Sequence, residues 1–281
     1  MTPVSRILRP AALISFAAAL SACSTFGGAE KEPTVEEMSA REIYALGEQQ
    51  ISEGNEIIAA NTFNEIERLY PFSQLAKRAL IMSAFASYEG RDYAAARASA
   101  RRYLDLYPSD VDAPYAQYLI ALTYYDNIVD VGRDQALTVS ALEELNKVVA
   151  RYPDSDYARE AQLKIDLAND QLAGKEMTVG RYYLKRGHYT AAINRFKTVV
   201  DKYQTTSQTP EALHRMVESY IALGLEDEAE KVALVLGTNF PGSEWYSDSY
   251  ALLTGVETLP KPDESGTFGS LYRQMILGRW L

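Results

Sequence analysis

The chain is poor in the residues that most chemistry needs. It has one cysteine, Cys23, and two histidines, His188 and His214, in 281 residues. A lone thiol excludes an internal disulfide. Neither histidine has a second histidine or a cysteine at metal-binding spacing, so no zinc motif is written into the sequence. Glycine is sparse, at 16 residues, and no stretch reads as a phosphate-cradling loop, a nucleophile elbow or an H-E-x-x-H helix. Carboxylates are plentiful but spread along the chain, and a catalytic pair would have to meet in space without a local signature. We expect no enzyme, no cofactor and no metal. Basic residues are in deficit too, with 28 Lys and Arg against 38 Asp and Glu, a net charge of −10. Such a surface repels nucleic acid and anionic lipid, which leaves proteins as the expected partners.

What is present begins with a targeting segment. Arg6 and Arg9 precede the largely apolar run Ala11 to Leu20, which is too short to span a bilayer and reads as a secretory signal over residues 1–22. The tetrapeptide Leu20-Ser21-Ala22-Cys23 resembles the bacterial lipobox, so Cys23 is the expected lipidation site. Several acyl chains, each buried methylene adding about 0.8 kcal/mol, hold a protein at a membrane where one chain would let go. Ser24 after the cysteine points to the outer membrane by the family rule for such lipoproteins. Loss of residues 1–22 would leave 26 basic side chains against the same 38 acids. Residues 23–33 read as the lipidated Cys and a flexible tether.

From 34 to 253 the chain is repetitive and helical. In the stretch from Met177 to Gln204, Gly180, Tyr183, Gly187, Tyr189, Ala192 and Phe196 alternate small and aromatic residues at the spacings of a tetratricopeptide repeat, which it resembles. Small residues let two antiparallel helices approach, and aromatics fill the space beside them. Aligning each second-helix alanine with the position twelve residues on gives Ala59 and Pro71, Ala96 and Pro108, Ala141 and Pro153, Ala192 and Gln204, Ala229 and Pro241. Their irregular spacing predicts a longer loop after Asn127 and one long helix from Asp156 to Arg186. Thr34 to Glu37 reads as a capping box, and Ser73, Asp112, Ser155, Thr209 and Ser243 as further helix starts. The expected fold is all-α, a tetratricopeptide-repeat superhelix of five helix-turn-helix repeats with a C-terminal capping helix at Glu244 to Leu253. Residues 254–267 read as a linker. Residues 268–281 read as a short amphipathic helix that either folds back on the last repeat or docks on a partner.

The tyrosines divide into two sets. Tyr70, Tyr107, Tyr152 and Tyr203 recur in register, which argues for packing. A second set is out of register: Tyr44, Phe85, Tyr88, Tyr115, Tyr118 and Tyr125, with Leu122, map onto the inner side of the first helices. These rings either line a groove for an extended, aromatic-rich peptide or pack against neighbouring helices.

With the lipobox-like tetrapeptide, the five repeats and the Y-P-x-S elements at Tyr70 to Ser73 and Tyr152 to Ser155, the chain resembles the BamD family, lipoproteins of the outer-membrane β-barrel assembly machinery. The resemblance covers nearly all of residues 20 to 250. It includes the run Tyr182 to Gly187 with Asn194-Arg195, and Ala229 to Ala233. It implies a non-catalytic, lipid-anchored scaffold facing the periplasm, docked through its C-terminal repeats on the periplasmic (POTRA) domains of BamA beside other lipoproteins of the complex. Arg195 matches the family's partner-contacting arginine, and Arg186 lies in the same matching run. A guanidinium at 195 suits bidentate pairing with a carboxylate. The resemblance also implies that the N-terminal repeats receive the C-terminal signal of unfolded outer-membrane β-barrel proteins. That signal ends in an aromatic residue, which suits the tyrosine groove. Two other readings stay open: a pilotin that escorts secretins, and a cell-wall enzyme with a helical superstructure.

Overall fold

The computed structural model describes residues 34–130 and 133–255. The signal-like segment, Cys23, the tether and the terminal helix expected over 268–281 lie outside the described residues. Eleven α-helices and no strand occur among the described residues. Five antiparallel pairs follow one another: α1 (Ala40–Ser52) with α2 (Glu56–Leu69), α3 (Gln74–Glu89) with α4 (Tyr93–Leu106), α5 (Ala113–Tyr125) with α6 (Ala136–Arg151), α7 (Asp156–Lys185) with α8 (Tyr189–Lys202), and α9 (Thr209–Ala222) with α10 (Glu226–Asn239). Helix α11 (Glu244–Thr254) covers the last pair, touching both α9 and α10. This is the expected tetratricopeptide-repeat architecture.

Each pair closes around two positions sixteen residues apart whose sizes compensate. Gly47 faces Phe63 and Gly180 faces Phe196; a Cβ on either glycine would lie 2.7 and 2.4 Å from the ring. Where the first helix carries Ala84 or Val217, the second carries Ala100 or Ala233, and all four are buried. The third pair sets Ala121 against Leu145, its offset lengthened by the long loop. A ring is accommodated at the crossing only where the facing residue is glycine, as a close-packed interior requires.

The turns between repeats share one backbone. Tyr70, Tyr107, Tyr152 and Phe240 end their helices at φ near −133° and ψ near 54°. A following proline pushes the residue before it out of the helical well. Tyr203, followed by Gln204, relaxes to ψ 35°. A serine then caps the next helix at Ser73, Ser155 and Ser243, each hydroxyl accepting a backbone N–H.

Two boundaries differ from the sequence reading. Thr34 and Glu37 do form a capping box, but it starts a single 3₁₀ turn, Val35–Glu37, that stops at extended Met38. The first α-helix begins after a second box, where the Ser39 N–H donates to Glu42 Oε2 at 2.7 Å. Thr209 is the first residue of its helix rather than its cap, because Gln208 already occupies that place ahead of Pro210.

The first helices meet in a row, α1 with α3, α3 with α5, α5 with α7 and α7 with α9, and no equivalent row joins the second helices. The array therefore curves toward its first helices, which line the inner face. Helix α7 serves two repeats. Its Ala161 and Ile165 complete the core under α5 and α6, whereas Ala173 and Met177 pack with Ala192, Ile193 and Phe196 of α8. The loop after α5 docks at its middle, where Gln171 Nε2 donates to the Val129 carbonyl at 3.0 Å. The long loop and the long helix are thus one insertion made of two complementary parts.

Candidate functional site

The inner face has two chemically different stretches. Over the first three repeats it is held by tyrosines. The Tyr88 hydroxyl donates to Asp126, and the Tyr118 hydroxyl donates to Glu160 of α7 at 2.9 Å. The Tyr115 and Tyr118 rings both pack on Tyr157, with centroids 5.3 and 5.5 Å away. Lys164 sits 4.6 Å over the Tyr125 ring, and Tyr125 helps line a depression with Ile128, Leu167 and Gln171. Burial raises the phenol of Tyr88, Tyr115 and Tyr118 above its ordinary value. The facing carboxylate adds to this at Tyr88 and Tyr118. The Tyr88 and Tyr118 hydroxyls therefore stay protonated and donate to their carboxylates near neutral pH.

The six aromatics of the inner set are not equally accessible. Phe85, Tyr88, Tyr115 and Tyr125 are half-buried, while Tyr118 is 5% exposed and Tyr44 7%. Tyr44 packs edge-on against Phe63 at 5.3 Å, inside the first repeat. The row joining α3, α5 and α7 is contiguous, and Tyr44 stands apart from it at the start of the array. Tyr157 and Glu160 complete the row and were missed from sequence, because they belong to the extra turns of α7 that the repeat pattern does not cover.

Over the last two repeats charge replaces the rings. Arg181 of α7 pairs with Glu211 of α9 through both Nε and Nη2. Arg215 reaches the same carboxylate at 3.3 Å and Glu218 at 2.8 Å. Burial pushes the Glu211 and Glu218 carboxyls up, but the basic neighbours outweigh it and hold both below the usual range. His214, 3% exposed, reaches Ser249 of α11 at 2.9 Å and lies against Trp245, so the end helix is locked on by a buried polar contact.

The two expected docking arginines have separate partners, Arg195 on α8 and Arg186 at the cap that ends α7. Arg195 Nη1 pairs with Glu176 at 3.1 Å, and the Arg195 side chain stays 45% exposed. Glu176 stands where the repeat pattern has tryptophan, so an acid at that departure serves to hold the arginine. Arg186 lies 4.4 Å over the Tyr182 ring, on the surface. Among the described residues no group of His, Cys, Asp or Glu is placed to hold a metal, and no helix is long and apolar enough to cross a membrane.

Known proteins resemble the chain over most of its length. The YfiO family model, described as outer membrane lipoprotein, matches residues 36–235. The outer membrane protein assembly factor BamD of Caulobacter vibrioides is 46% identical over 267 residues, covering 93% of this chain and 88% of that one. The BamD of Rickettsia prowazekii is 45% identical over 199 residues, covering 71% and 79%. The BamD of Neisseria gonorrhoeae is 30% identical over 248 residues, covering 84% and 93%.

Proposed function

The chain belongs to the YfiO family of outer membrane lipoproteins, and from that premise we propose that it is a non-catalytic scaffold of outer-membrane protein assembly. It is held at the periplasmic side of the outer membrane by lipid on Cys23. Its C-terminal repeats dock on the POTRA domains of BamA, with Arg195 and Arg186 on the docking surface and other lipoproteins of the machinery alongside. The inner face of its N-terminal repeats receives the C-terminal signals of unfolded β-barrel proteins. The observation that carries this reading is the division of the inner face. A contiguous aromatic row spans α3, α5 and α7, a charged stretch built on Arg181, Glu211 and Arg215 follows it, and the exposed, singly paired Arg195 stands beside them on α8. Rings held by fixed hydroxyl bonds offer contact area at little entropic cost. A guanidinium paired through one nitrogen keeps its other edge for a partner carboxylate.

The test is affinity purification of the lipidated protein from its own envelope in mild detergent, beside Arg195→Glu. A large barrel protein with tandem periplasmic domains should co-purify with the native chain and be reduced with the variant. Recovery of a secretin, or of no membrane partner, would contradict the proposal. Cys23→Ala should no longer fractionate with the outer membrane.

A further inference from the structure

Two apolar side chains stand at turn tips, where packing makes no use of them. Phe72 and Val111, 101% and 85% exposed, are the two most exposed large hydrophobics among the described residues. Each lies in a turn that passes the chain from one pair to the next, Phe72 between α2 and α3 and Val111 between α4 and α5. Because the pairs are antiparallel, such turns fall at the end where the first helices start, and so does the entry of the chain at Thr34. Cross-ties hold this edge together. The Tyr70 hydroxyl donates to the Met38 carbonyl at 2.6 Å, Arg68 reaches Glu36 at 3.2 Å, and Lys77 pairs with Asp110. The later tips differ. Beside their proline or its glutamine substitute, the third turn exposes Asp154, the fourth Thr205 and Ser207, and the fifth Gly242. The fourth turn is also set back. Its Ser207 N–H donates to Asp170 Oδ1 at 3.0 Å, and Asp170 lies fourteen residues past Asp156 at the start of α7, about 21 Å along the helix. Apolar tips and chain entry thus coincide on the forward edge of the first repeats.

We infer that this edge is a second, non-covalent membrane contact, in which Phe72 and Val111 enter the interfacial layer of the leaflet that holds the lipid anchor. The inference rests on the reading of Cys23 as lipidated. Thr34 is eleven residues past Cys23, a stretch that extends to at most about 40 Å. The anchor therefore keeps this edge, more than any other part of the array, close to the bilayer. Insertion is then nearly an intramolecular step, so two side chains too weak to bind a membrane alone suffice. The contact is apolar, not ionic. Arg68 and Lys77 are paired with acids, and Glu37, Asp105 and Asp112 lie exposed on the same edge, which suits zwitterionic lipid and not an anionic surface. With one edge fixed, the array has a defined tilt, and the polar, set-back turns of the later repeats point away from the leaflet.

The experiment uses the lipidated full-length protein in vesicles of phosphatidylethanolamine and phosphatidylcholine. Lipid occupies the Cys23 thiol, so a single Phe72→Cys, Val111→Cys, Asp154→Cys or Thr205→Cys substitution can carry a polarity-sensitive nitrobenzoxadiazole probe. Probes at 72 and 111 should shift to the blue and be quenched by phospholipid spin-labelled near the headgroup, and those at 154 and 205 should read as in water. With the probe at 111, Phe72→Ser should lower the ratio of inserted to free edge roughly ten-fold, the scale for returning one ring to water. Phe72→Leu should restore most of it, and helical circular dichroism should be unchanged in both. Salt at about 1 M should leave the signal in place, and its loss would overturn the apolar contact. Water-like probes at all four positions, on protein that floats with the vesicles, would overturn the edge contact and leave the anchor standing. So would equal quenching at all four. Protein that does not float would overturn the anchor reading along with the inference. A shift seen in native envelopes but not in vesicles would overturn the lipid assignment and give the tips to a protein.

Discussion

The two ends of the inner face solve one problem with different chemistry. Successive first helices must be tied together while their inward side stays usable. Between α3 and α7 the ties are tyrosines that donate to carboxylates and pack ring on ring. Between α7 and α9 they are guanidinium–carboxylate pairs built on Arg181, Glu211, Arg215 and Glu218. A tyrosine tie is short-ranged and mostly apolar, so it leaves ring surface beside its carboxylate. An ionic tie is reached by salt and by protons. The two ends therefore differ in what reaches them, an apolar surface at one and an ion-sensitive network at the other.

The largest expected effect comes from the crossing residues. Phe196→Ala opens the fourth pair and should cost about 3–5 kcal/mol. Because repeats couple mainly to their neighbours, amide exchange should accelerate from the second half of α7 through α11 while α3 and α4 keep their protection. Phe63→Ala, the same lesion at the other end, should release only α1 and α2. A uniform loss of protection in both variants would mean that the halves are one cooperative unit.

Next in size is the difference in ties. Glu211→Gln leaves two guanidinium groups short of their shared carboxylate and should cost about 1–3 kcal/mol, whereas Tyr118→Phe should cost about 0.5–1.5 kcal/mol. Denaturant titrations in low salt and in about 1 M salt separate them: the first cost should shrink with salt and the second should hold. Acid sharpens the contrast. The folded-state pKa of Glu211 and Glu218 is depressed, so their contribution is complete above the usual glutamate value of 4.5 and drains away as pH falls below it. Asp110, held down to about 2 by Lys77 and Tyr103, supports the turn into α5 until the pH nears that value. Exchange monitored on lowering the pH from 5 to 3 should rise in α9 before it rises in α5. The reverse order would show that the ionic ties contribute little.

The smallest effect concerns the one turn without its proline. Tyr203 sits at ψ 35° where its counterparts sit near 54°. Gln204→Pro should restore that backbone and stabilise the fourth repeat by about 0.4–1 kcal/mol, mainly by restricting the unfolded chain. Thermal unfolding would register the gain, and a loss would show that the relaxed turn is needed.

Much of this architecture could be read in the sequence. The alanines locate all five pairs, four of them with a proline twelve residues on, and the extra residues before Pro153 and Gln204 point to the long loop and the long helix. Those signals are local, since turn chemistry and helical period act within one or two dozen residues. The ties were not legible. Tyr118 and Glu160 are 42 residues apart and Arg181 and Glu211 are 30 apart, and which side chains meet depends on how consecutive pairs stack. The first α-helix was placed too early because two capping boxes stand five residues apart and only the extended Met38 separates them.

Helix α7 sets the phase between the two ends. Its thirty residues run unbroken from one core to the next, about 45 Å of a rod that gains 100° of rotation with every residue. The angle at which the aromatic row faces the charged stretch is thus counted out in whole residues, like teeth on a gear. Deleting one residue between Asp166 and Leu172 would shift the last two repeats by only about 1.5 Å along the rod, yet swing them through more than a quarter turn. The core contacts of Ala161 and Ile165 at one end, and of Ala173 and Met177 at the other, would be kept while the two inner-face stretches no longer faced the same way.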